Sequence, residues 1–184
     1  KWNRRYREGA YGNRPHPSAF LEEWIEHLPP GRALDVACGA GRNAVFLAGR
    51  GYHVDALDIS REGLQRGRER AQALNLEVDW MEHDLDEPVA LQGGYQVILL
   101  LRYVNLDLLR ELRSQLAAGG ILLCEEHLET SEEVVGPGNP AFRVKPGEVK
   151  AAAEGLDIIH SEEGLFTEPD GRLAALSRLV ARKP

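Results

Sequence analysis

The stretch Asp35-Val36-Ala37-Cys38-Gly39-Ala40-Gly41-Arg42-Asn43-Ala44 decides how this 184-residue chain is read. From Gly39 to Ala44 it fits G-x-G-x-x-[G/A], the pattern of a tight turn in which a strand passes into a helix and backbone N–H groups face a ligand. Glycine pairs also arise wherever a chain bends sharply, so the flanks carry the argument. Before the turn, Ala33-Leu34-Asp35-Val36-Ala37 reads as a short buried strand; after it, Asn43 to Ala48 reads as a helix. Val54 to Leu57 is a second strand, followed by Asp58. A carboxylate at that strand end suits the two hydroxyls of a ribose. An adenosine-containing ligand is therefore expected at the C-terminal edge of the sheet.

The rest of the chain keeps the alternation. Ser18 is placed to cap a helix with Glu22, whose apolar face is Phe20, Leu21, Trp24, Ile25 and Leu28 and whose end is Pro29-Pro30. Residues 61–74 read as helix, Leu76 to Met81 as extended, and Tyr95 to Leu101 as a strongly apolar strand. Asp107 to Leu116 reads as a helix stopped by Gly119-Gly120, before a strand from Ile121 to Cys124. Such alternation requires βαβ crossovers, hence a mostly parallel sheet with helices on both faces. After Pro146 the pattern changes: a short helix, Gly147 to Ala153, precedes Asp157 to Glu162 and Leu173 to Ala181, linked through Glu168-Pro169-Asp170-Gly171. Two strands joined directly must be antiparallel, so a hairpin closes the sheet.

No Tyr is followed four residues later by Lys, as a single-domain nicotinamide oxidoreductase would require, and no G-x-x-x-x-G-K-[ST] is present for a nucleoside triphosphate. Asp35, four residues before Gly39, would repel a diphosphate but attract a ligand carrying an ammonium and a sulfonium. On these residues the chain resembles the class I S-adenosylmethionine-dependent methyltransferases. The resemblance is carried by Leu34 to Gly41, by Asp58 after Val54-Asp55-Ala56-Leu57, by His83-Asp84-Leu85, and by Leu116-Ala117-Ala118-Gly119-Gly120, and it covers about residues 30–128. Gly41-Arg42-Asn43, with Trp2-Asn3, Arg5-Tyr6 and Gly9, is more loosely similar to the small tellurite-resistance-type branch, from which no acceptor is inherited.

The resemblance implies one α/β domain over residues 1–184, a three-layer sandwich. Its seven-stranded, mostly parallel sheet would run in the order 3-2-1-4-5-7-6 with an antiparallel C-terminal hairpin strand, and residues 1–29 would cap the cofactor mouth. It implies S-adenosylmethionine as cofactor and S-adenosylhomocysteine as product. Gly39 and Gly41, with Ala40 and Asn43, would bring the backbone to the methionyl part, and Arg42 would reach its carboxylate or stay on the surface. Asp58 would take the ribose hydroxyls, with Ile59 beside it. Asp84 would accept from the adenine amino group while the Leu85 N–H faces a ring nitrogen, or else Asp84 caps a helix before Glu87. Leu101 completes the set, and Asp35 either meets the ligand's charge or caps neighbouring amides.

For the acceptor side, Arg102 and Tyr103 follow the fourth strand, where amine methyltransferases of this fold often carry Asn/Asp-Pro-Pro-Tyr; that motif is absent. His127, ending the fifth strand, is the general-base candidate, its side chain titrating near pH ~6.5 when unperturbed. Phe142 and Arg143, in a Gly- and Pro-rich segment, and Tyr6 and Tyr11 of the N-terminal arm are the substrate-binding candidates. Three arginine-bearing segments (1–14, 102 and 143) favour a soft or anionic small-molecule acceptor. The alternatives are an RNA or protein methyltransferase and a regulator that binds the cofactor without turnover.

Composition narrows the classes further. The net charge of −7 disfavours a protein that grips bulk nucleic acid, although residues 1–14 hold Lys1, Arg4, Arg5, Arg7 and Arg14 against Glu8 alone. Two distant cysteines and six scattered histidines offer no metal-ligand spacing, so no metal is expected. The longest apolar run, Val97 to Leu101, is far short of a membrane span. Lys1-Trp2-Asn3-Arg4-Arg5 carries no apolar signal core. The expectation is a cytoplasmic protein, monomeric or homodimeric.

Overall fold

The strand β1 (Arg32–Val36) is apolar except for Arg32 and Asp35, and Ala33 to Val36 are buried. That lets it take a central place, parallel to β2 (His53–Asp58) on one side and to β4 (Tyr95–Leu101) on the other. The computed structural model describes residues 2–8 and 15–184; Tyr11, with Lys1, Gly9 and Arg14, lies outside the described residues. The sheet has seven strands in the order β3-β2-β1-β4-β5-β7-β6, with β3 (Asp79–Glu82) and β5 (Leu116–His127) parallel to their neighbours β2 and β4. The hairpin β6 (Asp157–Thr167) and β7 (Leu173–Arg182) is antiparallel, with β7 inserted between β5 and β6.

Helices cover both faces, as two apolar sets require. Ala33, Val54, Ala56, Val97 and Leu99 pack with Phe20 and Leu21 of α2 (Ala19–Trp24) and with Ala44 and Leu47 of α3 (Arg42–Gly49). Leu34, Val36, Ile98, Leu100 and Leu122 pack with Leu108, Leu109 and Leu112 of α5 (Leu106–Gln115) and Val149 of α6 (Glu148–Ala152). Two further helices, α1 (Trp2–Arg7) and α4 (Arg61–Ala73), lie against each other. Each fully buried Leu or Phe contributes about 1.5–3 kcal/mol. The two faces of the sheet, rather than the short helices, therefore hold the fold.

Three local expectations are corrected. Gly119-Gly120 does not stop a helix: α5 ends at Gln115 and β5 starts at Leu116, opposite Tyr95. A Cβ on Gly120 would stand 2.6 Å from the Tyr95 carbonyl oxygen, so glycine is needed there for strand approach. Ser18 does not cap α2 through its side chain; its backbone N–H donates to Asn43 Oδ1 at 2.8 Å, which fastens the start of α2 to the start of α3. No helix follows Asp84 between β3 and β4. Its Oδ1 accepts from the Asp86 N–H in a turn, and Leu85 behind it is buried in the core.

No helix among the described residues is long and apolar enough to cross a membrane. Among the same residues no cluster of three or more His, Cys, Asp or Glu side chains could hold a metal ion.

Candidate functional site

β1 and β4 end side by side, and the chain leaves them toward opposite sides of the sheet, which opens a crevice at their C-terminal ends. Past each strand end a residue with a side chain adopts left-handed backbone: Ala37 at φ 56° and Arg102 at φ 65°. Such strain collects at sites of function.

The turn after β1 is fixed from three directions. The Gly39 N–H donates to Asp58 Oδ2 at 2.8 Å, and the other carboxylate oxygen accepts from the Ser60 N–H at 2.7 Å. Burial raises the Asp58 pKa, and these two N–H groups hold it back. An ionised carboxylate has about four acceptor sites, so Asp58 keeps capacity for a pair of hydroxyl donors. From above comes Tyr6: a Cβ on Gly39 would stand 2.2 Å from its hydroxyl oxygen. From the side comes Trp80: a Cβ on Gly41 would stand 2.2 Å from its ring, and one on Gly67 of α4 2.5 Å. The space that the missing side chains of Gly39 and Gly41 leave is therefore taken by Tyr6 and Trp80, and any ligand meets the backbone of the turn. Gly63 plays the matching part on α4, since its Cβ would lie 2.9 Å from the Gly39 carbonyl oxygen.

Asp35 lies beneath this turn, fully buried. Burial raises its pKa to about 7, against the Ala44 N–H and the Arg42 charge, which lower it, while Asp58 adds to the rise. Asp35 Oδ2 is buried with no hydrogen-bond partner in the protein. A cation above the turn would complete it. Asn43 serves the fold through Ser18, and Arg42 Nη1 lies 3.5 Å from the His16 carbonyl oxygen. Ile59 is exposed, Leu101 and Leu85 are buried at strand-edge positions, and Asp84 is exposed.

The arm is bound to the same corner. Asn3 Oδ1 accepts from the Ser60 hydroxyl at 2.9 Å and from the Glu62 N–H at 3.3 Å, so it closes the first turn of α4. Arg66 and Arg70 on α4 donate to the carbonyl oxygens of Tyr6 and Pro15. Tyr6 is buried against the glycine turn, whereas Phe142 is half exposed on the segment after β5.

At the ends of β4 and β5 the cationic groups are committed. Arg102 donates through Nε to Glu125 at 2.8 Å and through Nη2 to Glu168 at 2.6 Å, and its Nη1 lies 3.3 Å from His127 Nε2. Arg178 donates to the other Glu125 oxygen at 2.7 Å. Arg143 donates to the carbonyl oxygens of Pro137 and Leu128, pinning its loop. This removes the support that Arg102 and Arg143 gave to an anionic acceptor. Tyr103 donates its backbone N–H to Glu126 Oε1 at 3.2 Å. Its phenol pKa is raised by burial and by the charges of Asp86, Asp84 and Asp58, against a hydrogen bond with Asn105.

Sequence reasoning missed Trp80, Asn3, Glu168 and Glu126. Strand alternation could have separated Glu125 from Glu126, since successive strand residues face opposite sides; the partners of the others are too distant in sequence to read.

Residues 33–120 match the model of the methyltransferase domain family. The ribosomal RNA small subunit methyltransferase B of Thermus thermophilus is 27% identical over 85% of this chain and 46% of its own length. The putative methyltransferase YqeM of Bacillus subtilis is 28% identical over 57% of this chain and 47% of its own. The chain thus spans about half the length of these curated relatives. TehB from Haemophilus influenzae superposes with a TM-score of 0.77 at 20% identity, over 100% of this chain and 68% of that one.

Two outcomes follow from the packing. Gly41→Ala should destabilise by more than the about 1–2 kcal/mol of left-handed backbone, and Trp80→Ala should recover part of the excess in a double-mutant cycle by urea melting; strict additivity would contradict the contact. Arg102→Ala should cost about 3 kcal/mol of stability, because it strips a partner from a buried carboxylate. Unchanged melting would show instead that Arg102 is free to serve an acceptor.

Proposed function

We propose that this chain carries a class I S-adenosylmethionine-dependent methyltransferase domain and transfers the methyl group of S-adenosylmethionine to a small-molecule acceptor, a reading supported by the methyltransferase domain model over residues 33–120 and by the fold shared with TehB. One observation carries the reading: the glycine turn lies over Asp35, a buried carboxyl with a partnerless oxygen, and is held by Asp58 at the next strand end. Asp35 would receive the ammonium group, Asp58 the ribose hydroxyls, and the backbone N–H groups opening α3 the carboxylate. Residues 1–29 would act as the cap, with Tyr6 on the turn. The sulfonium supplies an activated methyl group, and the protein's part is to align the acceptor in line and exclude water.

The small-molecule reading is supported by the net charge of −7, which does not favour a nucleic acid backbone. The name of the Thermus relative points the other way, so RNA belongs among the acceptors tested. Cys38 and Cys124 are free thiols, which fits a cytoplasmic protein. The test is calorimetry with S-adenosylmethionine and S-adenosylhomocysteine, followed by a methyl-release assay on pooled metabolites and on RNA. No binding of either ligand would overturn the proposal; binding without release to any acceptor would leave a regulator.

Asp58→Asn should weaken S-adenosylmethionine by about 1.5 kcal/mol or more, roughly tenfold, by losing a charged acceptor. It keeps an oxygen for the Gly39 N–H but turns an amide NH2 toward the Ser60 N–H, so urea melting accompanies the titration; unchanged affinity would remove Asp58 from the ligand site. The Asp35 carboxyl holds its proton up to a pKa of about 7, and an ammonium needs it ionised. Affinity should therefore fall as pH drops through 7 and level off above it. Asp35→Asn should flatten that dependence, as read by titrations at pH 6 and 8.

A further inference from the structure

At the end of β5 two adjacent glutamates point to opposite faces of the sheet and have opposite circumstances. Glu125 accepts from Arg102 and Arg178, so its charge is matched. Glu126 is 1% exposed, and it accepts one backbone N–H, from Tyr103, on Oε1. Its Oε2 is buried without a hydrogen-bond partner in the protein. A buried carboxyl oxygen left this way is costly to the fold, and packing alone would be served as well by Leu. Its position is at the crevice: Glu126 stands one residue past the Leu101–Glu125 pair that ends the β4–β5 register, and it holds the backbone of Tyr103, which follows β4.

We propose that Glu126 is the group that accepts the proton of the methyl acceptor, which makes the acceptor one with an ionisable O–H or N–H. This rests on the methyltransferase reading and narrows its substrate class. In the step, the acceptor's proton passes to Glu126 Oε2 while the acceptor's lone pair forms the bond to the methyl carbon. The carbon–sulfur bond breaks with its electron pair left on sulfur. The negative charge of the carboxylate and the positive charge of the sulfonium disappear together, so the products are the methylated acceptor, a neutral thioether and a protonated Glu126.

The surroundings suit that task. On the same face lie Cys124 of β5, Leu128 just past its end, and Ser177 opposite Glu126 on β7, whose hydroxyl donates to Glu163. Burial pushes the Glu126 carboxyl well above the usual glutamate range; the Tyr103 N–H and the Arg102 charge hold it back, and Glu125 adds to the rise. Burial also raises the Cys124 thiol, with Glu126 and Glu125 contributing, which leaves that thiol a poor rival as base. His127 has Nε2 3.3 Å from Arg102 Nη1. A carboxyl whose proton is held more tightly by burial is an effective base once a nearby cation ionises it.

S-adenosylmethionine and S-adenosylhomocysteine share every group except the sulfonium with its methyl, so they separate the effect. Calorimetry of the full chain at pH 7, in buffers of differing ionisation enthalpy, counts the protons released by each. S-adenosylmethionine should release more than S-adenosylhomocysteine. The difference should vanish in Glu126→Gln, which keeps an oxygen for the Tyr103 N–H, return in Glu126→Asp, and persist in His127→Ala; Asp35→Asn should lower both counts alike. On the acceptor found by methyl release, Glu126→Gln should lower kcat about 10²–10⁴-fold with cofactor affinity unchanged. Equal proton counts in the wild type, a difference that survives Glu126→Gln, or a wild-type kcat in that variant would overturn the proposal. Failure of both ligands to bind would instead sink the methyltransferase reading beneath it.

Discussion

Gly39 gives its backbone N–H to the Asp58 carboxylate, and this one hydrogen bond joins the turn after β1 to the end of β2. Everything placed at the crevice depends on it. It sets the height of the turn above Asp35, and through the second oxygen it fixes Ser60, which caps α4 by accepting from the Gly63 N–H. α4 can then lie against the turn because Gly63 and Gly67, one helical turn apart, bring no side chain to the contact. Two glycines in a strand–helix turn and two in a neighbouring helix thus form one close-packed joint, with Trp80 and Tyr6 as its filling.

The sheet was legible because its signals are local. Apolar runs of strand length alternate with amphipathic stretches, Asp58 stands at a strand end, and Asp170-Gly171 marks the hairpin. The strand order itself came with the resemblance to a family, and the topology agrees with it. Gly119-Gly120 misled because the same dipeptide serves a helix stop and a strand that must pass close to a carbonyl; only the position of Tyr95 distinguishes them. At the site, residue types could be read but not their commitments. Arg102 looked available from sequence, yet its partners are 23 and 66 residues away. Gly41 was legible as a turn glycine, while Trp80, the ring that needs its missing side chain, was not.

Charge divides the end of β5 into two environments. On one face Glu125, Arg102, Arg178 and Glu168 form a matched set, and Phe20 and Phe166 lie under the Arg178 guanidinium. A buried set of this kind fixes geometry more than it adds stability. It ties the hairpin turn at Glu168 to the end of β4, so the antiparallel part of the sheet helps to hold the left-handed backbone at Arg102. On the other face Glu126 has no such set: beside it are the Cys124 thiol, two residues back along the strand, and the Ser177 hydroxyl of its cross-strand partner, which donates to Glu163. The rigid face gives the crevice its shape and the other its capacity to exchange a proton.

The bond from Asn3 to Ser60 and Glu62 has a consequence for the order of assembly. The first turn of α4 is closed by a residue that precedes it by 57 positions. The sheet and its two cores can form without that contact, since neither core includes a residue of α1, whose Tyr6 is buried against the glycine turn instead. The arm is therefore the natural last piece to dock and the first to detach. Its detachment would loosen the start of α4 beside Asp58 and uncover the glycine turn in the same event. Local unfolding of one short helix would thus be coupled to access at the crevice, with no movement of any strand.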